Sequence, residues 1–246
     1  MVRLTIDGKK VEVEEGRTIL EAAREVGIDI PTLCYHEALT PYGACRLCTV
    51  EVIKGKRKRL VTSCNYPAEE GVEVETNSEE VKSVRKMEVE LLLARCPKVK
   101  SVQNLAREYG IKKARFKLED EDCILCGLCV RACEEVVGAK AISFVGRGVE
   151  REVDTPFHIA SEACLGCGAC AYICPTGAIK MEDIEGVREI KRFSASHPLK
   201  KCKVCGNYFA PQVQIDYIVK KLGLPEDAFD LCPTCKEFKE LKSLKS

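Results

Sequence analysis

Seventeen cysteines, most of them gathered into C-x-x-C groups, constrain this chain more than any other feature. Thiols in such number either form a disulfide framework or hold metal. A disulfide framework needs an oxidising compartment, usually reached through a signal peptide. Here Met1-Val-Arg-Leu-Thr-Ile6 runs straight into a polar turn at Asp7-Gly8, with no apolar h-region and no twin-Arg pair. Tight C-x-x-C spacing also suits ligands of one centre better than loop-closing cross-links. The cysteines are therefore read as metal ligands and the protein as cytoplasmic.

Charge narrows the function classes further. Lys and Arg number 39 against 38 Asp and Glu, a formal net charge of +1, so a broadly basic nucleic-acid surface is not expected. The apolar run around Glu90-Leu-Leu-Leu-Ala94 is far short of the ~18 residues of a membrane span. No G-x-G-x-x-G follows a strand pattern, and no Walker motif or Ser/His/Asp constellation stands out. The basic run Lys54-Gly-Lys-Arg-Lys-Arg59 sits where a hairpin turn belongs and reads as a solvated turn. His36, His158 and His197 are isolated and are not assigned as ligands.

Hydrophobic periodicity predicts an α+β organisation. Val2, Leu4 and Ile6, then Val11 and Val13, alternate around Asp7-Gly8 as a β-hairpin. Thr18 and Glu21 form a capping-box pattern ahead of a helix through Ile19, Leu20, Ala23 and Val26 that Gly27 ends. Strands are expected at Thr49–Ile53, Arg59–Ser63 and near Gly71–Thr76, giving a small β-grasp unit over residues 1–78. Amphipathic helices over Ser78–Ala94 and Val99–Tyr109 make residues 79–119 a helical connector. Residues 120–182 are expected as one domain, with an internal repeat over 123–180. Cys123-Ile-Leu-Cys126-Gly-Leu-Cys129-Val-Arg-Ala-Cys133 is echoed by Cys164-Leu-Gly-Cys167-Gly-Ala-Cys170-Ala-Tyr-Ile-Cys174. Strand-like pieces follow each copy, at Ala141–Val145 and Ala178–Met181. Glu182–Pro198 reads as a charged linker, residues 199–240 as a separate small module, and the lysine-rich tail after Phe238 as a fraying end.

The N-terminal set is Cys34-x10-Cys45-x2-Cys48-x15-Cys64. Four thiolates can hold a [2Fe–2S] core, two per iron, or one structural zinc. Gly43 and Ala44 are small enough to let backbone N–H groups approach cluster sulfurs. The C-terminal set, Cys202, Cys205, Cys232 and Cys235, pairs two knuckles across x26. A tail that small needs a staple, so one zinc in a ribbon-like module is expected, with a further iron–sulfur cluster as the rival.

A resemblance then sharpens the reading. Ile30-Pro-Thr-Leu-Cys34, Tyr42-Gly-Ala-Cys45-Arg-Leu-Cys48-Thr-Val-Glu-Val52 and Thr62-Ser-Cys64 resemble the N-terminal region of the large iron–sulfur subunit of respiratory complex I. They are equally similar to the small diaphorase subunit of NAD-linked hydrogenases. The resemblance implies a [2Fe–2S] cluster on Cys34, Cys45, Cys48 and Cys64. Those families carry a further motif of one His and three Cys after the long helix. This chain has only Cys96-Pro97 and then no cysteine until Cys123, so that cluster is expected to be absent and Cys96 to be a small buried residue.

The repeat resembles bacterial-type 2[4Fe–4S] ferredoxin domains, in which the fourth cysteine of each run serves the other cluster. That implies one [4Fe–4S] cluster on Cys123, Cys126, Cys129 and Cys174, and another on Cys133, Cys164, Cys167 and Cys170. Pro175 follows the fourth cysteine as in that pattern, whereas Glu134 stands where the first copy would have proline.

The resemblance implies a non-catalytic electron-transfer subunit. Its partners would be a flavoprotein subunit that oxidises or reduces NAD(P)H and a catalytic oxidoreductase subunit such as a hydrogenase or formate dehydrogenase. Two other readings are the N-terminal part of an iron hydrogenase, disfavoured because no further catalytic cysteines precede Ser246, and a redox-sensing regulatory protein, disfavoured by the lack of a helix-turn-helix pattern.

Overall fold

The Asp7-Gly8 turn places both residues at positive φ, 47° and 79°, the backbone a two-residue hairpin needs. It joins β1 (Val2–Ile6) to β2 (Lys9–Val13), whose alternation buries Leu4, Ile6, Val11 and Val13 on one face. The computed structural model describes residues 1–117 and 120–237, so the expected fraying tail lies outside the described residues. The chain divides into two units, Met1–Arg131 with Pro175–Ala178, and Ala132–Cys174 with Ile179–Ser246.

In the first unit, α1 (Ile19–Glu25) begins with the predicted capping box. The Glu21 N–H donates to Thr18 Oγ1 at 3.2 Å and the Thr18 N–H to Glu21 Oε2 at 2.8 Å. Strands β3 (Thr49–Lys54), β4 (Arg57–Thr62) and β5 (Glu73–Glu75) complete a sheet of order β2-β1-β5-β3-β4. The late strand β5 inserts between β1 and β3, parallel to the first and antiparallel to the second. Asp7 fixes that insertion by accepting from Thr76 N at 2.8 Å and Thr76 Oγ1 at 2.6 Å. Ile19, Leu20, Ala22 and Ala23 of α1 close the core with Ile30, Val50 and Val74. The basic run forms the β3–β4 hairpin, where Lys54 pairs with Glu69 and Lys58 with Glu51.

Two connector helices follow, α2 (Glu79–Arg95), capped by Ser78, and α3 (Lys100–Glu108). Arg85 of α2 is buried and donates twice to the Thr49 carbonyl, from Nε at 3.2 Å and Nη2 at 2.8 Å. The buried Glu90 is satisfied by Arg115, through its N–H at 2.7 Å and its guanidinium, which holds the carboxyl down at about 2. A short helix, α4 (Leu128–Arg131), ends the main segment of this unit.

The second unit opens with a π-helical turn, Ala132–Val137, and holds β6 (Ser143–Val145) paired with β7 (Glu152–Asp154), then α5 (Ala169–Tyr172). The linker expected over Glu182–Pro198 is instead sheet. Strands β8 (Met181–Ile184), β9 (Val187–Ile190), β10 (Ala195–Lys201) and β11 (Tyr208–Pro211) stand in the order β11-β10-β9-β8. Every residue of β8 is exposed, so it carries no apolar alternation to read. Its pairing rests on a Glu185-Gly186 turn with both φ positive and on cross-strand ion pairs, Arg188 with Asp183 and Lys191 with Glu182. Helix α6 (Gln212–Leu222) lies between the two halves of the C-terminal cysteine set, where the sequence reading assigned no element. Among the described residues, no helix is long and apolar enough to cross a membrane.

Candidate metal centres

All four N-terminal thiols are buried, Cys48 and Cys64 within the apolar core itself. They fall into two hydrogen-bonded pairs, Cys34 with Cys45 and Cys48 with Cys64. In the first pair, hydrogen bonding from Cys45 draws the Cys34 thiol down to about 6, helped by the Cys45 and Ala44 N–H groups and the Arg131 guanidinium. The Cys45 N–H stands 3.4 Å from Cys34 Sγ. Cys48 is drawn to about 7, first by Cys64 and then by Ser63, while Cys45 and Cys64 are pushed up. Two pairs of thiols are the arrangement that two irons with two ligands apiece would use. Gly43 sits at φ +71°, and a Cβ there would meet Asn65 Nδ2 at 2.8 Å, so this loop requires glycine. Arg46, inside the C-x-x-C, takes φ +53° without being glycine.

The two copies of the repeat share a backbone signature. Leu125 and Gly166, each just before the second cysteine, have φ of 53° and 61°; Gly127 and Gly168, each just after it, have 70° and 79°. Such left-handed residues turn N–H groups inward toward sulfur. The Leu125 N–H indeed lies 3.4 Å from Cys123 Sγ, and the Gly166 N–H bonds the Cys164 thiol. In the first unit, Arg95 Nε holds the Cys123 carbonyl at 2.9 Å. In the second unit, Cys133, Cys164, Cys167 and Cys170 line one small cavity whose remaining walls include Ile142, Leu165, Ile190 and Phe193. The Ala141 N–H approaches Cys133 Sγ at 3.3 Å. Burial raises the Cys164 thiol and pushes Cys170 up to about 12, so these sulfurs need a positive centre to ionise. Cys129 and Cys126 are buried and Cys123 and Cys174 half-buried.

The C-terminal set is built differently. The Sγ atoms of Cys202, Cys205, Cys232 and Cys235 all lie within 4.8 Å of one another, and Cys205 and Cys232 stand 3.7 Å apart. Four sulfurs at ~2.3 Å from one ion stand about 3.8 Å apart, so this set fits a single tetrahedral ion. Backbone N–H groups of Cys205 and Cys232 draw the Cys202 thiol down to about 6, the latter at 3.3 Å. Hydrogen bonding to Cys205 pushes Cys235 up to about 12.

Cys96 is fully buried, as the sequence reading expects, and burial lifts its thiol to about 12. Several contacts had no sequence signal. His158 pairs with Asp154 at 2.7 Å and shares a cluster with Glu152, through a turn in which Phe157 and His158 both have positive φ. Arg188 Nη1 holds the Gly166 carbonyl at 3.2 Å, and a Cβ on Gly166 would meet the His197 ring at 2.7 Å. Arg131 donates to the carbonyls of Cys34 and Thr40, 97 and 91 residues away. Local spacing cannot reveal partners so distant.

Thiol sets of these geometries define an iron–sulfur protein. Residues 1–79 match the family described as a 2Fe-2S iron-sulfur cluster binding domain, and residues 122–178 match a 4Fe-4S dicluster domain. The NADH-ubiquinone oxidoreductase 75 kDa subunit of Reclinomonas americana is 36% identical over 204 residues, covering 73% of this chain and 29% of that protein. A subunit of the NADP-reducing hydrogenase of Solidesulfovibrio fructosivorans is 38% identical over 211 residues, 73% of this chain and 36% of the relative. The chain thus spans only about a third of the length of these two relatives. A chain from the crystal structure of an NAD+-reducing [NiFe]-hydrogenase in the H2-reduced state is similar with a TM-score of 0.60 at 30% identity, over 72% of this chain and 86% of that one. This chain belongs to the family of iron–sulfur subunits shared by NADH:quinone oxidoreductases and NAD(P)-linked hydrogenases.

Proposed function

We propose that this protein relays electrons in the cytoplasm between a flavoprotein subunit that handles NAD(P)H and a catalytic oxidoreductase subunit, without catalysis of its own. The observation that carries the reading is the succession of three thiol sets in one chain, each set in a backbone that aims N–H groups at sulfur. The names of the relatives, an NADH-ubiquinone oxidoreductase and an NADP-reducing hydrogenase, support both ends of the path.

We read residues 1–78 as a β-grasp domain with one [2Fe–2S] cluster on Cys34, Cys45, Cys48 and Cys64. Residues 79–119 form the connector. Residues 120–182 hold two [4Fe–4S] clusters, with Cys174 the fourth ligand beside Cys123, Cys126 and Cys129, and Cys133 the fourth beside Cys164, Cys167 and Cys170. Residues 199–240 form a ribbon-like module with one zinc. Iron–sulfur clusters supply one-electron transfer. The chain's own part is to space the thiolates, present N–H donors and exclude water with apolar walls such as Leu47, Ile142 and Phe193.

The purified protein should take electrons from dithionite but not from NADH, and gain NADH or NADPH reactivity once the flavoprotein subunit is added. Rapid NAD(P)H oxidation or hydrogen evolution by the protein alone would overturn the relay. The ligand sharing has its own test. Cys133→Ala should alter the same paramagnetic signal as Cys167→Ala, and Cys174→Ala the same signal as Cys126→Ala. A shared effect of Cys133→Ala and Cys126→Ala would refute it.

A further inference from the structure

The first copy of the cysteine repeat carries Arg131 between its third and fourth cysteines; the second carries Tyr172 at the matching place. Tyr172 is 95% exposed, whereas Arg131 is buried. The repeat itself therefore does not require a buried side chain at this position.

Arg131 spends its guanidinium on three backbone carbonyls. Nε donates to Gly127 at 3.3 Å, inside the Cys126-Gly-Leu-Cys129 turn. Nη1 donates to Thr40 at 2.5 Å and Nη2 to Cys34 at 2.7 Å. The guanidinium also lies over the Tyr42 ring, 5.7 Å from its centroid. Cys34 is the first ligand of the N-terminal set, and Thr40 and Tyr42 lie in the ten-residue loop between it and Cys45. One rigid, permanently charged fork thus ties the loop of one centre to the turn of the next.

We propose that Arg131 is a positioning residue that locks the Cys34–Cys45 loop to the Cys126–Cys129 turn and raises the reduction potential of the [2Fe–2S] cluster. The inference rests on the [2Fe–2S] reading above. Reduction adds a negative charge to the cluster. A cation fixed at the carbonyl of a ligand residue, in a site shielded from water, favours that added charge. Arg85 marks the contrast: it donates to the Thr49 carbonyl and bonds Tyr109, tying its helix to β3 and to the end of α3, not one centre to another.

The test uses the full chain with its clusters reconstituted, and compares Arg131→Gln, Arg131→Lys and, as a charge control on the exposed hairpin, Arg57→Gln. An EPR-monitored redox titration reads the [2Fe–2S] midpoint, and hydrogen exchange reads the amides of residues 34–45. Arg131→Gln should lower the midpoint relative to both wild type and Arg57→Gln. Arg131→Lys keeps the charge but not the three-way fork, so it should hold the midpoint closer to wild type while exchange in the loop quickens by roughly tenfold. A midpoint in Arg131→Gln no lower than in Arg57→Gln, or unchanged loop exchange in both Arg131 variants, would overturn the proposal. If Arg131→Gln fails to assemble its cluster, Arg131→Lys alone decides, through its exchange. Absence of any [2Fe–2S] signal in the wild type would instead overturn the cluster assignment, leaving the two failures distinguishable.

Discussion

The N-terminal and C-terminal cysteine sets each offer four thiols, yet they stand in opposite relations to their surroundings. The first is buried throughout, with Cys48 and Cys64 set in a core of Leu20, Val50, Val74 and their neighbours that a sheet and a helix build. The second has Cys205 exposed, and Leu199, Pro211 and Ile215 are the buried aliphatic side chains among the described residues from 199 on. In the first region the fold presents the thiols; in the second, on the single-ion reading proposed above, the ion would supply much of the local structure. The sulfur geometry agrees, two pairs in one case and a single four-way contact in the other.

Metal removal should separate the two regions most sharply. If the C-terminal set holds zinc as proposed, stripping it should forfeit binding free energy on the order of 10 kcal/mol, the scale of small structural zinc sites. Hydrogen exchange should then show residues 199–237 losing protection, while strands β1 to β5 keep theirs even after the iron is also removed. Collapse of protection in β1 to β5 on cluster loss would break the comparison. Intact protein should contain about ten iron atoms and about one zinc. Cys232→Ser should abolish the zinc and leave the iron unchanged. About fourteen irons and no zinc would instead place a further cluster in the C-terminal set.

A smaller effect tests whether the N-terminal fold stands on its own core. Leu20→Ala leaves a cavity under the sheet and should cost the metal-free protein about 3 kcal/mol in urea unfolding. A change much under about 1 kcal/mol would mean that this core is not what carries the thiols. Cys45→Ser, by contrast, should erase the [2Fe–2S] signal and leave that unfolding transition in place, since the thiol contributes ligation rather than packing. The smallest effect belongs to the capping box. Thr18→Ala should cost about 1 kcal/mol, and Thr18→Ser should restore most of it, because the lost quantity is one satisfied N–H at the start of α1.

Much of the N-terminal half is legible locally. The Asp7-Gly8 hairpin, the Thr18–Glu21 cap and the β3–β4 turn at Gly55 are set by residues within a few positions of one another. The repeat is equally legible, since its left-handed turns at Gly127 and Gly168 follow from the motif itself. The sheet over 181–201 is not. Met181–Ile184 has no buried face; it pairs with β9 across the Glu185-Gly186 turn, with Asp183 and Glu182 meeting Arg188 and Lys191.

By itself the sequence determined the thiol sets, their order along the chain and the local loops that hold them, because a C-x-x-C brings its sulfurs together whatever the rest of the chain does. The tertiary structure alone decided that β5 enters between β1 and β3, that Arg85 clamps Thr49, and that Arg131 spans from the first copy of the repeat to Cys34. The two arginine contacts join groups 36 and 97 residues apart. A carbonyl acceptor looks the same at every residue, so only the folded backbone selects which one a buried guanidinium finds.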